Sequence, residues 1–326
     1  MKRREFLEGV FAGTAVTASS AFLWGKLNLR PALPVAEVLP VPPVSTPPVS
    51  PGSVVVEPVV VEPAPTSVIA PEPIRPVVVH KEPQEIAEDR AYLSKIQNFD
   101  DEHLGDIHLS PERLELLKAT IGSLDEAQRL IGHGHFNVIG FDRMILVVNR
   151  YSRTGPFPKA HLDLIEELFE FNAKGYGFYG EKIVTRLTST IPEGDIEKVP
   201  YTGHYLYKGD SKRLYKTLRR DVGETIVLTS GIRGMVKQTH LFMAKALQAK
   251  GNLSRASRSL APPGHSYHAI GDFDVGKVGY GKRNFTRDFA ETDEYKRLQD
   301  LGYVDIRYTS NNRFGVRYEP WHVKVV

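Results

Sequence analysis

The stretch SYHAIGDFDVG, residues 266–276, places His268 six positions before Asp274 in a segment that has the composition of a buried strand. In one extended strand the two side chains would lie roughly 20 Å apart, at ~3.3 Å per residue, so no single metal ion would bind both. Either the two residues are unrelated, or the chain folds back between them. Gly271 permits such a turn, because glycine adopts backbone conformations that other residues avoid. The strand would then be DFDV, with Asp272 and Asp274 on one face.

A second segment, RYEPWH at residues 317–322, contains Glu319 and His322. Residues three apart lie on opposite faces of a regular strand. Pro320 has no amide hydrogen and favours a strand edge or a β-bulge, and a bulge would bring both side chains to one side. Two histidines, one carboxylate and an open position for water form a catalytic zinc site, and an unligated glutamate beside it serves as general base. The two segments together predict a metal centre more strongly than either does alone.

The composition excludes several kinds of partner and site. Lys and Arg number 42 against 39 Asp and Glu, for a net charge of +3, which gives no basis for a nucleic-acid partner. The sequence has no cysteine, so a disulfide framework and a thiolate metal site are both excluded. Any transition metal must therefore be bound by His, Asp or Glu.

The N-terminal sequence MKRREFLEG places Arg3 and Arg4 ahead of an apolar run from Val10 to Trp24. This pattern resembles a twin-arginine export signal, and the run is shorter than the ~20 residues that a spanning helix needs. We therefore interpret residues 1–30 as a signal that directs the protein to the periplasm or cell envelope. If it is not cleaved, the same segment would act as a membrane anchor.

Residues 31–83 are dominated by Pro, Val and Glu. Prolines at this frequency are incompatible with a helix or an interior strand. The composition favours an extended polyproline conformation of ~3.1 Å per residue. We predict a disordered linker in this segment.

The remainder of the chain is predicted to be one compact unit with two lobes, of which residues 84–200 are mostly helical. LSPERLELLKATIGSL begins with Ser110 as N-cap and a proline at the first helical position. HLDLIEELFEFNAKG is predicted to be a second helix, with Gly175 just past its end. Between them, His133 and His135 are spaced to bind a metal from one strand face, although the glycines around them favour a turn.

Residues 201–326 form the second predicted lobe. A strand at ETIVLTS, a turn at GIRG and a helix closed by Gly251 place Arg233 at an element junction. A loop then precedes residue 266, and a helix at TDEYKRLQDLG is followed by strands at YVDIRY and VRYEPWHVKVV. Antiparallel strands with helices beside them predict an α+β fold.

The segments SGIRGMVKQ, SYHAIGDFDVG and EPWH, in this order, resemble the signature blocks of a known enzyme family. These are the VanY-like zinc D-alanyl-D-alanine carboxypeptidases of the lysostaphin, carboxypeptidase and hedgehog (LAS) superfamily. The resemblance covers about residues 201–326 and implies that family's α+β fold and a zinc cofactor. It implies zinc binding by His268, Asp274 and His322, a general base at Glu319, and substrate binding by Arg233, Ser266 and Gln238.

One departure from the family pattern concerns the second block. The family usually places the aspartate one position farther from the histidine than Asp274 is from His268. A deletion of one residue after Gly271 restores the alignment of Asp274 and leaves Asp272 as an alternative ligand. Residues 84–200 match no family that we recognise.

The resemblance implies a D,D-carboxypeptidase that hydrolyses the terminal D-Ala of peptidoglycan stem peptides. Arg233 supports this interpretation, because a guanidinium binds a carboxylate through two parallel hydrogen bonds and so favours a terminal residue. An endopeptidase that cuts cross-links is an alternative, which a groove open at both ends would indicate. A non-catalytic protein that binds cell-wall peptides is another, but Glu319 argues against it because a binder needs no base.

Overall fold

The computed structural model of the chain describes residues 83–152 and 155–326. The helices, labelled α1 to α9 in chain order, are Pro83–Gln97, Pro111–Ile131, His133–Phe136, Phe141–Tyr151, Lys159–Glu170, Asp210–Asp221, Met235–Gln248, Leu253–Ser259 and Asp293–Asp300. The strands, labelled β1 to β6, are Ile196–Lys198, Tyr205–Tyr207, Ile226–Ser230, Phe273–Lys277, Asp305–Ile306 and His322–Lys324. The structure confirms a mixed fold of helices and small antiparallel sheets.

The predicted export signal at residues 1–30 and the predicted linker at residues 31–83 lie outside the described residues, apart from Pro83. Pro83 is the first residue of α1. Proline is tolerated there because the first amides of a helix have no intrahelical partner. In the part of the chain that the structure describes, no helix combines the length and apolar character needed to cross a membrane.

Helix α2 begins at the predicted cap and runs farther than predicted. The Ser110 side chain accepts a hydrogen bond of 3.3 Å from the backbone amide of Arg113, and Pro111 occupies the first helical position. This cap satisfies one of the amides that a helix start leaves unpaired. The helix ends at Ile131, before Gly132, whose φ is +89°.

Two segments of the helical region differ from their predictions. Helix α5 ends at Glu170 and not near Gly175, because Phe171 leaves the helical conformation and stacks on Tyr176 with ring centroids 4.3 Å apart. His133 and His135 lie in the short helix α3, in neither a strand nor a turn.

The loop predicted before residue 266 contains helix α8. Its start is capped by Asn252, whose side chain accepts a hydrogen bond of 2.7 Å from the backbone amide of Arg255. Asparagine is a favoured N-cap residue, so the sequence did carry a signal for this helix.

Helix α7 joins the helical region to the sheet region. Its buried residues Val236, Phe242 and Met243 belong to the same hydrophobic cluster as Leu117 and Leu124 of α2. Full burial of one such side chain contributes about 1.5–3 kcal/mol to folding. The shared core therefore holds the start of α7, and the segment that precedes it, against the helices.

The larger sheet has the strand order β3-β4-β6-β5, and each neighbouring pair is antiparallel. In its register Asp274 lies opposite Ser230 on one side and His322 on the other. Strands β5 and β6 contain only 2 and 3 residues, shorter than the predicted strands. Pro320 limits β6, because a residue without an amide hydrogen cannot complete the ladder.

The smaller sheet pairs β1 with β2 in antiparallel orientation. The predicted lobe boundary at residue 200 falls in the connection between these two strands.

A tight turn at Gly271 folds the chain back before β4. Residues 267–269 form a 3₁₀ helix, and the carbonyl of Tyr267 accepts hydrogen bonds of 3.1–3.2 Å from the amides of residues 270–272. The φ of Gly271 is +143°, a conformation that favours glycine. Because of this turn, His268 and Asp274 do not lie at the two ends of one extended strand.

Gly231, directly after β3, packs closely against the backbone of β2. A Cβ at this position would lie 2.1 Å from the carbonyl oxygen of Tyr205. Gly231→Ala must therefore displace the β2 backbone, and we expect the free energy of unfolding to fall by about 1–3 kcal/mol in denaturant titrations.

Gly122→Ala is the matched control. A Cβ at Gly122, on the exposed side of α2, meets nothing within 4 Å. Alanine is favoured over glycine in a helix by about 1 kcal/mol, so this variant should gain stability. A Gly231→Ala protein as stable as the wild type would contradict the packing described here.

Candidate metal centre

Three buried side chains converge at the junction of the Gly271 turn with β4 and β6. His268 lies in the 3₁₀ helix of the turn, Asp274 in β4 and His322 in β6. Their exposures are 1%, 1% and 2%. One ligand atom of each lies within 4.8 Å of those of the other two. The structure thus brings together the three residues predicted to bind a metal.

The geometry of this group fits zinc. Zinc bonded at ~2.0–2.1 Å in a tetrahedral site places its ligand atoms roughly 3.3 Å apart. Asp274 Oδ1 lies 3.2 Å from His268 Nε2 and 3.5 Å from His322 Nδ1. Within the described part of the chain, neither His268 Nε2 nor Asp274 Oδ1 makes a hydrogen bond. Since buried polar atoms without partners are costly, a cation that binds both would satisfy them.

Hydrogen bonds to the opposite ring nitrogens orient the two histidines. His268 donates from Nδ1 to the carbonyl of Gly231 at 2.8 Å. His322 donates from Nε2 to Asp272 Oδ2 at 3.1 Å. Such bonds fix the ring orientation and the tautomer of metal-binding histidines. They leave Nε2 of His268 and Nδ1 of His322 directed at Asp274.

Asp272, the alternative ligand, has other partners. Both of its oxygens accept hydrogen bonds from the guanidinium of Arg307, and Oδ1 also accepts one of 2.8 Å from the backbone amide of Val325. Asp274 instead faces His268, and its Oδ2 pairs with Arg233. Of the two aspartates, Asp274 has the free oxygen in the converging group, and Asp272 holds the ring of a histidine.

Burial and neighbouring charges set the ionisation of this group. Burial opposes ionisation of Asp274, but its interactions with His268 and Arg233 outweigh burial and hold the pKa of Asp274 below its usual range. Burial, assisted by Arg233, lowers the pKa of His268 and favours the neutral imidazole that a metal needs. Burial lowers the pKa of His322 too, but Asp272, Glu319 and Asp274 overcome this effect and raise it to about 9.

Glu319 lies beside the three ligands, and a turn places it there instead of the predicted β-bulge. The backbone amide of His322 donates to the carbonyl of Glu319 at 3.1 Å, and the amide of Glu319 donates to the carbonyl of Tyr308 at 2.9 Å. Glu319 Oε2 lies 3.4 Å from His322 Nδ1. Glu319 as a residue is 7% exposed, which is more than any of the three converging residues, so it lies at the margin of the buried group.

This arrangement lies inside a region that matches a protein family. The VanY family model, described as D-alanyl-D-alanine carboxypeptidase, matches residues 208–326. These residues are a VanY domain. The resemblance predicted from the three sequence segments is confirmed over this range.

Several solved structures resemble part of the chain. The LdcB LD-carboxypeptidase, from a structure on peptidoglycan recognition, is 27% identical, with 40% of this chain and 63% of that chain covered and a TM-score of 0.33. A mutant of the D,D-pentapeptidase VanY from a VanB-type resistance cassette, in complex with Zn(II), is 22% identical, with 44% and 86% covered and a TM-score of 0.32. VanYB in complex with D-Ala-D-Ala has the same identity and coverage and a TM-score of 0.33.

The chain thus spans 63% of the length of LdcB, less than two thirds. None of the curated proteins matches its sequence.

Within the VanY domain, Arg233 contacts the metal-ligand group. Its Nε donates to Ser230 Oγ at 2.8 Å, and its Nη2 pairs with Asp274 Oδ2. The side chain is 12% exposed. Arg233 therefore holds the carboxylate of Asp274, one of the three converging residues.

Ser266 and Gln238, the other residues predicted to bind substrate, are more deeply enclosed. Ser266 is 4% exposed and stands directly before the 3₁₀ helix that carries His268. Gln238 is 1% exposed in α7 and donates from Nε2 to the carbonyl of Ala261 at 2.6 Å. The amide nitrogen of Gln238 is thus hydrogen-bonded to the backbone that leads to the site.

Several groups that build the site were not predicted. The Gly231 carbonyl orients His268, and Arg307 fixes Asp272 across a separation of 35 residues. The buried ring of Tyr308 packs edge-on against His322, with centroids 4.8 Å apart. Any residue has a backbone carbonyl, so the sequence does not indicate the role of Gly231. The pair of Arg307 and Asp272 is too far apart in sequence for a local pattern to reveal it. His133 and His135 lie outside the converging group.

Substitution of the two aspartates distinguishes a metal ligand, Asp274, from a residue that orients a ligand, Asp272. Asp272→Asn keeps the three ligands and should weaken zinc binding by about 10–100-fold. Asp274→Asn removes a ligand and should weaken zinc binding by more than that. Competition with a chromophoric chelator measures both affinities.

The exposed Asp300 supplies the control. Asp300→Asn should bind zinc as the wild type does. Greater loss of zinc in Asp272→Asn than in Asp274→Asn would make Asp272 the ligand.

Proposed function

We propose that the protein is a zinc-dependent D,D-carboxypeptidase that removes the terminal D-Ala from peptidoglycan stem peptides. The VanY match supports a carboxypeptidase, and the proposal adds the metal and the substrate. The observation that carries it is the buried group of His268, Asp274 and His322, in which two ligand atoms make no hydrogen bond to any described residue. Glu319 adds a carboxylate beside this group.

His268 Nε2, Asp274 Oδ1 and His322 Nδ1 would hold the zinc and leave one tetrahedral position open. When bound there, zinc supplies a water of lowered pKa and polarises the carbonyl of the scissile bond.

Glu319 acts as the general base in this proposal. It takes a proton from the attacking water as the water oxygen bonds to the carbonyl carbon, and it returns the proton to the amine when the C–N bond breaks. The distance of 3.4 Å between Glu319 Oε2 and His322 Nδ1 supports this role, because a general base must lie beside the water that it activates. Arg317, with its Nε 3.9 Å from Glu319 Oε1, provides a cation on the other side.

Arg233 favours a substrate with a free C-terminus. A guanidinium has five N–H donors, and this one uses two groups, Nε and Nη2, on Ser230 and Asp274. The remaining donors can bind the terminal carboxylate of a peptide. Ser266 stands two positions before His268 and would help to orient the same peptide. Trimming of a terminal residue follows from this arrangement more directly than cleavage within a chain.

Glu319→Gln tests the assignment of the base. The variant should keep about one zinc per chain, because all three ligands remain, and should lose turnover by about 10²–10⁴-fold. His322→Ala should lose the zinc itself. Metal analysis and release of D-Ala from a stem peptide measure the two effects.

The exposed Glu166 of α5 gives a matched control, and Glu166→Gln should change neither quantity. If Glu319→Gln lost zinc to the same extent as His322→Ala, Glu319 would be a ligand and not the base.

We also propose that the protein is exported to the periplasm or cell envelope by the twin-arginine route. The support for this is the sequence around Arg3 and Arg4. Export would place the enzyme where peptidoglycan is found.

Replacement of Arg3 and Arg4 together by Lys should retain the protein in the cytoplasm, because the route requires the arginine pair. Cell fractionation followed by immunodetection measures the distribution. Arg30→Lys is the control and should be exported normally. Normal export of the double variant would show that another route is used.

A further inference from the structure

A cleft of about 420 Å³ lies next to Glu319. One wall is the end of α1 and the residues that follow it, including Phe99. The lining also contains Arg287, Arg317 and Tyr318, the last of which immediately precedes Glu319. The cleft is therefore formed jointly by the VanY domain and by a segment that lies before it in the chain.

Arg317 is enclosed in this cleft with most of its hydrogen-bonding capacity unused. Its guanidinium carbon lies 4.7 Å from the ring centroid of Phe99 and 5.0 Å from that of Trp321. It donates from Nη2 to the carbonyl of Phe285 at 3.1 Å. Its Nε is buried and makes no hydrogen bond to any described residue. A guanidinium held between two aromatic rings is thus fixed in place while donors stay free.

The charges around Arg317 favour an anion. Arg287 is exposed on the same cleft, and Lys245 of α7 lies near enough that burial together with Arg317 lowers the pKa of its ammonium group. The acidic groups that face Arg317 are Glu319, at 3.9 Å from Nε, Asp100 and Asp274. Asp274 is paired with Arg233.

Asp100 is already neutralised, because Arg255 pairs with it at 2.7 Å. Glu319 is engaged at the metal centre, where its other oxygen faces His322. Among the described residues, the lining of the cleft thus contains two cations, Arg287 and Arg317, and no carboxylate.

We infer that this cleft is a subsite for a carboxylate of the peptide substrate, bound by the guanidinium of Arg317 and attracted by Arg287. The inference rests on the proposed function and adds a second recognition point to it. A guanidinium binds a carboxylate through two parallel hydrogen bonds, and desolvation between aromatic rings strengthens them.

The position of the subsite sets which carboxylates reach it. Arg317 contacts one oxygen of Glu319 at 3.9 Å, and the other oxygen lies 3.4 Å from the metal-ligand atom of His322. A peptide advances at most ~3.3–3.6 Å per residue. The bound carboxylate therefore belongs to a residue close to the scissile bond, either as a side-chain carboxylate or as the C-terminus.

Three synthetic peptides that end in D-Ala-D-Ala test the subsite on the zinc-loaded full chain. The first carries a free side-chain carboxylate before D-Ala-D-Ala, the second has this group amidated, and the third has the C-terminus amidated. For the wild type we expect amidation of the recognised carboxylate to lower kcat/KM by about 10–100-fold, as for loss of a charged hydrogen-bonded pair.

Arg317→Met keeps an apolar side chain between the rings and removes the charge. It should lower kcat/KM for the free-acid peptide by a similar factor, chiefly by raising KM. The variant should then hydrolyse the free-acid peptide and one of the two amidated peptides with equal kcat/KM. The amide whose difference disappears identifies the carboxylate that is bound. Arg287 is exposed, and Arg287→Gln should lower kcat/KM for the acid by about 2–5-fold. The exposed Arg143 of α4 supplies the control Arg143→Met, which should have no effect.

Equal activity of the wild type on all three peptides would overturn the inference, and this result does not depend on whether any variant folds. The inference would also be overturned if Arg317→Met lowered kcat/KM by the same factor for all three peptides. Failure of the proposed function has a different signature, which is absence of hydrolysis by the zinc-loaded wild type. Calorimetric binding of the same peptides to Glu319→Gln then still reports whether Arg317 distinguishes acid from amide.

Discussion

The antiparallel pairing of β4 with β6 places Asp274 opposite His322, and the rest of the site depends on this pair. Removing a carboxylate from water costs several kcal/mol, so Asp274 requires compensation inside the protein. Arg233 compensates one of its oxygens, and His268 and His322 face the other. Asp272 lies two residues earlier on the same face of the chain, and it contacts the opposite edge of the His322 ring. Two aspartates thus hold one imidazole between them, one as a candidate ligand and one as its orienting partner.

The helical region before the VanY domain contributes to the site through packing. Helix α2 shares its hydrophobic cluster with α7, which begins directly after the segment that carries Arg233. Asp106 and Arg258 form a buried ion pair of 2.8 Å that ties the loop before α2 to α8. Phe99 covers one face of Arg317. Residues outside the matched range therefore contribute to the core beneath the site and to the surroundings of Arg317.

The sequence indicated which residues converge better than it indicated the contacts that hold them. His268, Asp274 and His322 could be chosen because few residue types bind zinc and because three short segments occur in a recognisable order. The choice between Asp272 and Asp274 could not be made from spacing, since it depends on Arg307, which lies 35 residues from Asp272. The Gly271 turn followed from the conformational freedom of glycine, and its φ of +143° shows why that residue is needed. The β-bulge predicted at Pro320 was wrong because the missing amide hydrogen ended the strand and a turn replaced it.

Helix α8 was missed although Asn252 offered a cap, because the serines and glycines around it resemble a loop.

The central claim is that two histidines and one aspartate bind zinc with one position left open. X-ray absorption at the zinc edge of the purified, zinc-loaded chain measures this coordination most directly. The account predicts about four nitrogen or oxygen neighbours at ~2.0–2.1 Å, with outer-shell scattering that corresponds to two imidazole rings. A zinc shell with no imidazole scattering, or with three or more imidazoles, would contradict the site described here.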